Sequence, residues 1–333
     1  MSDADNTIAF IGLGVMGYPM AVNLRSKIDS SKTLLICDVS EEALSKFEKQ
    51  MEGKGPVKRV KNGFEAVQQA NMVITMLPIS PVVTSVYEDS STGILAGITA
   101  LAKSDSSKPV KKVLMECGTI ETATILAVQK ATQKVDSEIS SSGSGSGVTF
   151  IDAPVSGGPM GAQDGSLTFM VGAAKKEDYE TVKKILAHMG NKDGIFHCGD
   201  VGAGTAFKVI NNYLSAVTSL AASEALNIGA KLNLDLKLLT DVINASGGQC
   251  WVTSKSNPVP GIHANAPASR GYEGGFRIEL CKKVLGMGLE LGDMCGARMD
   301  TGRTTLTAFE ECAADDRYKG KDARVVWKWL NDQ

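Results

Sequence analysis

The first half of the chain alternates continuous apolar runs with segments whose apolar positions recur at helical spacing. The runs are TIAFI (7–11), TLLIC (33–37), MVITML (72–77) and VLMEC (113–117). Runs that are apolar throughout, rather than at every second residue, suit parallel strands covered on both faces. Helix-like stretches such as EEALSKFEKQM (41–51) lie between them. This alternation predicts a doubly wound parallel sheet. VTFIDA (148–153), LTFMVG (167–172) and IFHC (195–198) would extend it.

The texture changes near residues 199–204. From 203 to 232 the pattern is helical, and it is largely uncharged between Val209 and Ala222. Such a helix is longer than most in globular proteins. A helix apolar on most faces must be buried on most faces, so this one reads as a central helix between two domains and as a contact for a second subunit. Apart from a loop at 246–275, the remainder also reads as helices. The run SEISSSGSGSG (137–147) reads as a flexible surface loop, dispensable over 140–147 because closing a short polar loop costs little per residue.

The bulk properties narrow the function classes. With 333 residues the chain can build two domains with real cores. An apolar fraction of 43%, a charged fraction of 22% and a net charge of −2 give no field that would draw nucleic acid or an anionic membrane. No apolar run is long enough to span a bilayer. The acidic start MSDADNTIAFIG enters a strand almost at once. It carries neither a signal peptide nor an Arg-rich presequence, which favours the cytoplasm. Seven scattered cysteines without a CxxC pair suit a reducing compartment, and the three histidines are not spaced as metal ligands.

Chemistry enters at GLGVMG: Gly12, Leu13, Gly14, Val15, Met16 and Gly17. A lone GxGxxG is weak, because Gly is common in turns. Here it directly follows a strand and opens the helix-like PMAVNLRSK, and Asp38 stands 21 residues after Gly17 at the end of the second strand. Together these make a dinucleotide loop. Gly12 permits the tight turn, Gly14 lets the backbone reach a pyrophosphate, and Gly17 lets the helix pack on the strand. The pyrophosphate would meet the free N–H groups of a helix N-terminus. Asp38 can accept from ribose hydroxyls and would repel a 2′-phosphate; Val39 follows, with no Arg to receive one. The expected cofactor is therefore NAD. The fold class follows: α/β, an N-terminal Rossmann-type doubly wound sheet and then an all-α C-terminal domain. Its expected domains are 1–200, binding NAD, and 201–333, all-helical, for substrate and dimerisation.

Lys208 and Asn212, in GTAFKVINNY (204–213), stand i, i+4 and share one helix face. Ala206, Phe207, Val209 and Ile210 surround Lys208 in sequence, a setting for a buried lysine rather than a solvated one.

These motifs resemble the β-hydroxyacid dehydrogenase family over almost the whole chain. GLGVMGYPMAVNL is similar to its cofactor loop, TMLP (75–78) to its third-strand end, DAPVSGGPMGAQDGSLTFMVG (152–172) to its substrate loop and KVINN to its catalytic helix. The resemblance implies that Lys208 is the acid/base on the substrate oxygen and that Asn212 orients substrate. It implies that Ser156, Gly157 and Gly158 bind the substrate carboxylate, and that Leu77, Pro78, Thr119 and Lys283 contact the cofactor. The chain departs from the family at Glu116-Cys117-Gly118-Thr119, where only Thr is kept from a DSST-like run. It departs again at Val284, where the family has Asp, and at Val82, where close relatives have Asn.

The activity implied is NAD-dependent oxidation of a short 3-hydroxy acid, with 3-hydroxyisobutyrate the first substrate and methylmalonate semialdehyde its product, as in valine breakdown. A reductase of glyoxylate or succinic semialdehyde is the same-class alternative, and an NAD-binding sensor with weakened chemistry the different-class one. The expected partner is a small hydroxy acid, with neither nucleic acid nor membrane, in a homodimer or homotetramer. Eukaryotic relatives make the mitochondrial matrix a second compartment.

Overall fold

The computed structural model describes residues 3–105, 108–142 and 145–332. They divide into two compact units, Met1–Lys208 and Val209–Gln333.

The first unit is built on nine strands: β1 Thr7–Ile11, β2 Thr33–Cys37, β3 Val57–Arg59, β4 Met72–Thr75, β5 Val110–Glu116, β6 Ser146–Asp152, β7 Val155–Ser156, β8 Leu167–Gly172 and β9 Gly190–Gly199. Their order is β3-β2-β1-β4-β5-β6-β8-β7, with β9 also on β8. From β3 to β6 every pairing is parallel. The order reverses at β1 and β4, the switch point at which such sheets bind ligands.

Alternate residues point to opposite faces of a strand, and the core divides accordingly. Ile8, Phe10, Leu34 and Ile36 join one buried cluster, while Ala9, Ile11, Leu35 and Cys37 join another. Both faces of β1 and β2 are thus covered, which is why their sequences lack polar alternation.

Three expectations need correction. First, of the added strands only VTFIDA, in β6, continues the parallel sheet: β8 runs antiparallel to β6 and to β7, and β9 is parallel to β8. Here the chain runs along β7, passes through the short helix Gly158–Asp164 and returns antiparallel along β8 instead of making a long crossover.

Second, the serine-rich run is not a loop along its length. The helix Thr122–Ser141 continues into it, because Val128, Thr132 and Ile139 are buried at helical spacing. Ser146 opens β6 opposite Val110, and Asp136 accepts from the Ser146 hydroxyl at 2.5 Å and from Val148 N–H at 2.8 Å. Residues 140–147 therefore contain a helix end and a strand start; 143–144 lie outside the described residues.

Third, the long helix Ala203–Lys231 is not covered all round by its own chain: Phe207, Ile210, Leu214 and Ile228, on one face, are 55–63% exposed.

The second unit is helical, as expected, with Leu236–Asn244, Trp251–Lys255, Ile278–Cys295, Asp300–Ala314 and Val326–Asn331 following the long helix. Ala216, Leu220, Ile278, Leu285, Phe309 and Tyr318 form its core. Tyr213 is wedged between two helices at their glycines. A Cβ on Gly288 would come within 2.9 Å of Tyr213, and one on Gly302 within 2.5 Å. That packing fixes the rotation of the helix segment carrying the neighbouring Asn212. Among the described residues, no helix is long and apolar enough to cross a membrane.

Candidate functional site

The glycine loop begins where β1 ends. Gly12 has φ +98°, and a Cβ there would meet the Met76 carbonyl oxygen at 2.4 Å. Its own carbonyl occupies the space beside Gly17, where a Cβ would stand only 1.9 Å away. Around Gly14, by contrast, nothing lies within 4 Å of a would-be Cβ. The two outer glycines let the loop fold against its neighbours, and the middle one leaves its outer face open. The following helix, Gly17–Lys27, has no side-chain cap at Met16, so the loop itself offers no anion to the positive helix end. This cradle fits a pyrophosphate.

Asp38 closes the loop from β2. Its carboxylate accepts from Leu13 N–H at 2.5 Å and from Ser40 N–H at 2.7 Å. Val15 and Val39 are strongly exposed, at 77% and 104%, an unusual state for valine.

At the ends of β4 and β5, Leu77 is buried and Thr119 half-buried. Beneath them lies a group to which the sequence reading assigned no part, Glu116. It stands opposite Thr75 in the sheet and is fully buried. Its carboxyl accepts from the Thr75 hydroxyl at 2.5 Å and Gly118 N–H at 2.6 Å, and from the Leu77 backbone. Tyr87 Oη lies 2.8 Å from the Thr75 hydroxyl. Burial outweighs these bonds and pushes the Glu116 carboxyl up to about 7.

Past β6, the chain forms β7 and turns at Gly157, whose φ of +134° is open to glycine alone. Ser156 is half-buried, and Gly157 and Gly158 are exposed.

Lys208, in the second turn of the long helix, is 8% exposed. Burial lowers its ammonium to about 8, and among the described residues no carboxylate pairs with it. The helix start is held by Asp152, the last residue of β6, which accepts from Gly202 N–H, Thr205 N–H and the Thr205 hydroxyl. A sequence signal for Asp152 existed, an acid closing the apolar strand VTFID, but its partners did not show.

The structure thus brings the glycine loop, Asp38, Leu77, Pro78 and Thr119 to the C-terminal ends of parallel β1, β2, β4 and β5. Ser156–Gly158 follow β6 on the same chain path, and Lys208 belongs to the same unit. Asn212 and Lys283 belong to the second unit, both half-buried. Val284 is buried in a small cluster with Val209 and Met287. No group of three or more His, Cys, Asp or Glu side chains among the described residues could hold a metal ion.

The chain matches two family models. One, described as the NAD binding domain of 6-phosphogluconate dehydrogenase, covers residues 7–202. The other, described as NAD-binding of NADP-dependent 3-hydroxyisobutyrate dehydrogenase, covers 202–330. The mitochondrial 3-hydroxyisobutyrate dehydrogenase of Homo sapiens is 33% identical over 98% of this chain and 87% of its own length. The NAD-dependent L-serine dehydrogenase of Pseudomonas aeruginosa is 34% identical over 96% of each chain. A solved structure of Mycobacterium tuberculosis 3-hydroxyisobutyrate dehydrogenase with L-serine superposes with a TM-score of 0.79 at 32% identity, covering 98% of this chain and 99% of that one. With both halves matched and these relatives aligned along nearly its whole length, the chain belongs to the β-hydroxyacid dehydrogenase family, as a NAD-dependent oxidoreductase acting on 3-hydroxy acids.

Proposed function

We propose that this enzyme oxidises 3-hydroxyisobutyrate to methylmalonate semialdehyde, with Lys208 as the general base. The observation that carries this reading is the burial of Lys208, which brings its ammonium down to about 8. An ordinary lysine is almost wholly protonated at neutral pH, whereas one near 8 is roughly one-tenth neutral at pH 7. NAD, when bound, supplies the acceptor for the hydride that leaves C3 of the substrate. The neutral amine of Lys208 takes the proton from the C3 hydroxyl, and in the reduction direction its ammonium returns it. Asn212, one turn further along the helix, orients the substrate. Ser156 and the backbone N–H groups of Gly157 and Gly158 hold its carboxylate, at a turn no side chain obstructs. Leu77, Pro78, Thr119 and Lys283 bear on the cofactor.

Substrate choice turns on the group at C2. Val284 packs with Val209 and Met287 where the family's Asp would place a charge. An apolar wall favours methyl-substituted or unsubstituted acids over hydroxylated ones, because a hydroxyl without a partner loses its hydrogen bonds with water. A second reading is L-serine, also a 3-hydroxy acid. It is supported by the NAD-dependent L-serine dehydrogenase and the L-serine-containing structure among the relatives. Measuring kcat/KM for 3-hydroxyisobutyrate, L-serine and glycerate tests both. The expected order puts 3-hydroxyisobutyrate above glycerate by at least roughly tenfold. A lead for L-serine transfers the proposal to the second reading, and a lead for glycerate defeats the apolar-wall argument.

Asp38 carries the preference for NAD over NADP. Its carboxylate lies against the glycine loop, where ribose hydroxyls are expected. Asp38→Ala removes a charge-assisted acceptor and the repulsion of a 2′-phosphate. The ratio of kcat/KM with NAD to that with NADP should fall by roughly tenfold, the scale of one such bond. A wild-type enzyme faster with NADP would contradict the assignment.

A further inference from the structure

A buried carboxylate that accepts three hydrogen bonds holds the start of the helix carrying the proposed acid/base. Asp152 ends β6, four residues before Ser156. One carboxylate oxygen accepts from Thr205 N–H at 2.6 Å and from the Thr205 hydroxyl at 2.9 Å. The other accepts from Gly202 N–H at 2.7 Å. These donors lie in the first turn of the helix Ala203–Lys231 and just ahead of it, where backbone N–H groups have no partner within the helix.

Two glycines make room for this carboxylate. A Cβ on Gly172, the partner of Asp152 across β6 and β8, would come within 2.1 Å of Asp152 Oδ1. One on Gly204 would come within 3.0 Å of Oδ2 and within 2.2 Å of the Met170 carbonyl oxygen. The helix start therefore lies directly on the backbone of β8, with Asp152 between them. Lys208 follows Thr205 by three residues, so it sits on the adjoining turn of the same helix face.

We infer that Asp152 is a positioning residue for the reaction: one buried carboxylate holds both the strand that leads into the carboxylate-binding turn and the helix that carries Lys208, and so fixes their mutual geometry. This inference rests on the proposed role of Lys208. A helix that only needed capping could use a Ser, Thr or Asp of its own at the cap. Here the cap is borrowed from a strand that the 53-residue separation of Asp152 and Thr205 makes distant in sequence, and that strand is the one entering the substrate loop.

The test uses the full chain with 3-hydroxyisobutyrate and NAD. Asp152→Asn keeps the size but sets an NH2 group against one of the N–H donors. Its kcat should fall roughly 10- to 100-fold, the scale of a small misplacement of a reacting group, with KM for NAD within about twofold of wild type. The pH midpoint of kcat should move up from near 8 toward the ordinary lysine value as Lys208 gains access to water. Gly172→Ala, which crowds the carboxylate, should reproduce this shift. Thr205→Val, which removes only the hydroxyl, should lower kcat several-fold, and Thr205→Ser should restore it.

A folded Asp152→Asn enzyme with wild-type kcat and midpoint overturns the inference. So does a loss of activity with an unmoved midpoint and an equal rise in KM for NAD. If Asp152→Asn does not fold, the Thr205 pair decides, and wild-type behaviour of Thr205→Val is then the overturning result. Should Lys208→Ala stay active, the reading of Lys208 fails separately, and amide exchange at Gly202 and Thr205 in Gly172→Ala still scores the anchoring itself. Unchanged protection there counts against it.

Discussion

Lys208→Ala should lower kcat for hydroxy-acid oxidation by roughly 10²- to 10⁴-fold, the usual contribution of a positioned general acid/base. Dissociation of NADH should change little, because Lys208 shares no hydrogen bond with the glycine loop or Asp38 among the described residues. The pH dependence separates chemistry from packing. Oxidation needs the neutral amine, so wild-type kcat should rise with pH through about 8 and then level off. Reduction needs the ammonium and should fall over the same range. In Lys208→Ala both profiles should be flat there. Lys208→Arg should not rescue oxidation, since a guanidinium stays charged throughout. An alanine variant retaining more than roughly one-tenth of wild-type kcat would sink the mechanism.

The parts of this site that were legible from sequence are those whose chemistry is local. The glycine loop shows itself because its three glycines, the strand before them and the helix after them are contiguous. Ser156-Gly157-Gly158 entered through the family resemblance, and the structure shows only the turn there, at Gly157. The apolar strands were legible because both faces of β1 and β2 are covered. β3 was not, because Lys58 and Arg59 are exposed on an edge strand, and β7 was not, because it has two residues. The antiparallel direction of β8 leaves no mark on its own apolar pattern. The serine run misled because composition outweighed a single anchor, Ile139, buried in the last turn of its helix. Asp152 and Glu116 were passed over for one reason: their decisive partners lie 53 and 41 residues away, and only the sheet brings them together.

Glu116→Gln should stabilise the enzyme relative to wild type at alkaline pH and make little difference near pH 5. The folded-state carboxyl titrates at about 7 against an ordinary value of 4.5. Between these values the folded state holds more protons than the unfolded state, so wild-type stability falls as pH rises through that window. The whole loss is present above about pH 7, and the gap corresponds to roughly 3 kcal/mol. Glutamine mimics the neutral acid: its oxygen can accept from Gly118 N–H, and its NH2 can donate to the Thr75 oxygen, which in turn donates to the Met115 carbonyl. The variant therefore keeps the link between the β4 and β5 ends without a buried charge, and KM for NAD should stay within about threefold. Glu116→Ala should do the opposite, leaving Gly118 N–H and the Leu77 backbone donor short of a partner and loosening both ends beside Leu77 and Thr119. Urea midpoints of wild type and Glu116→Gln at pH 5, 7 and 9 check the first claim. Because every other titrating group is common to both proteins, the difference between them isolates Glu116. A difference that does not change with pH would mean that the wild-type carboxyl is ionised throughout, held by its three donors more strongly than burial opposes it.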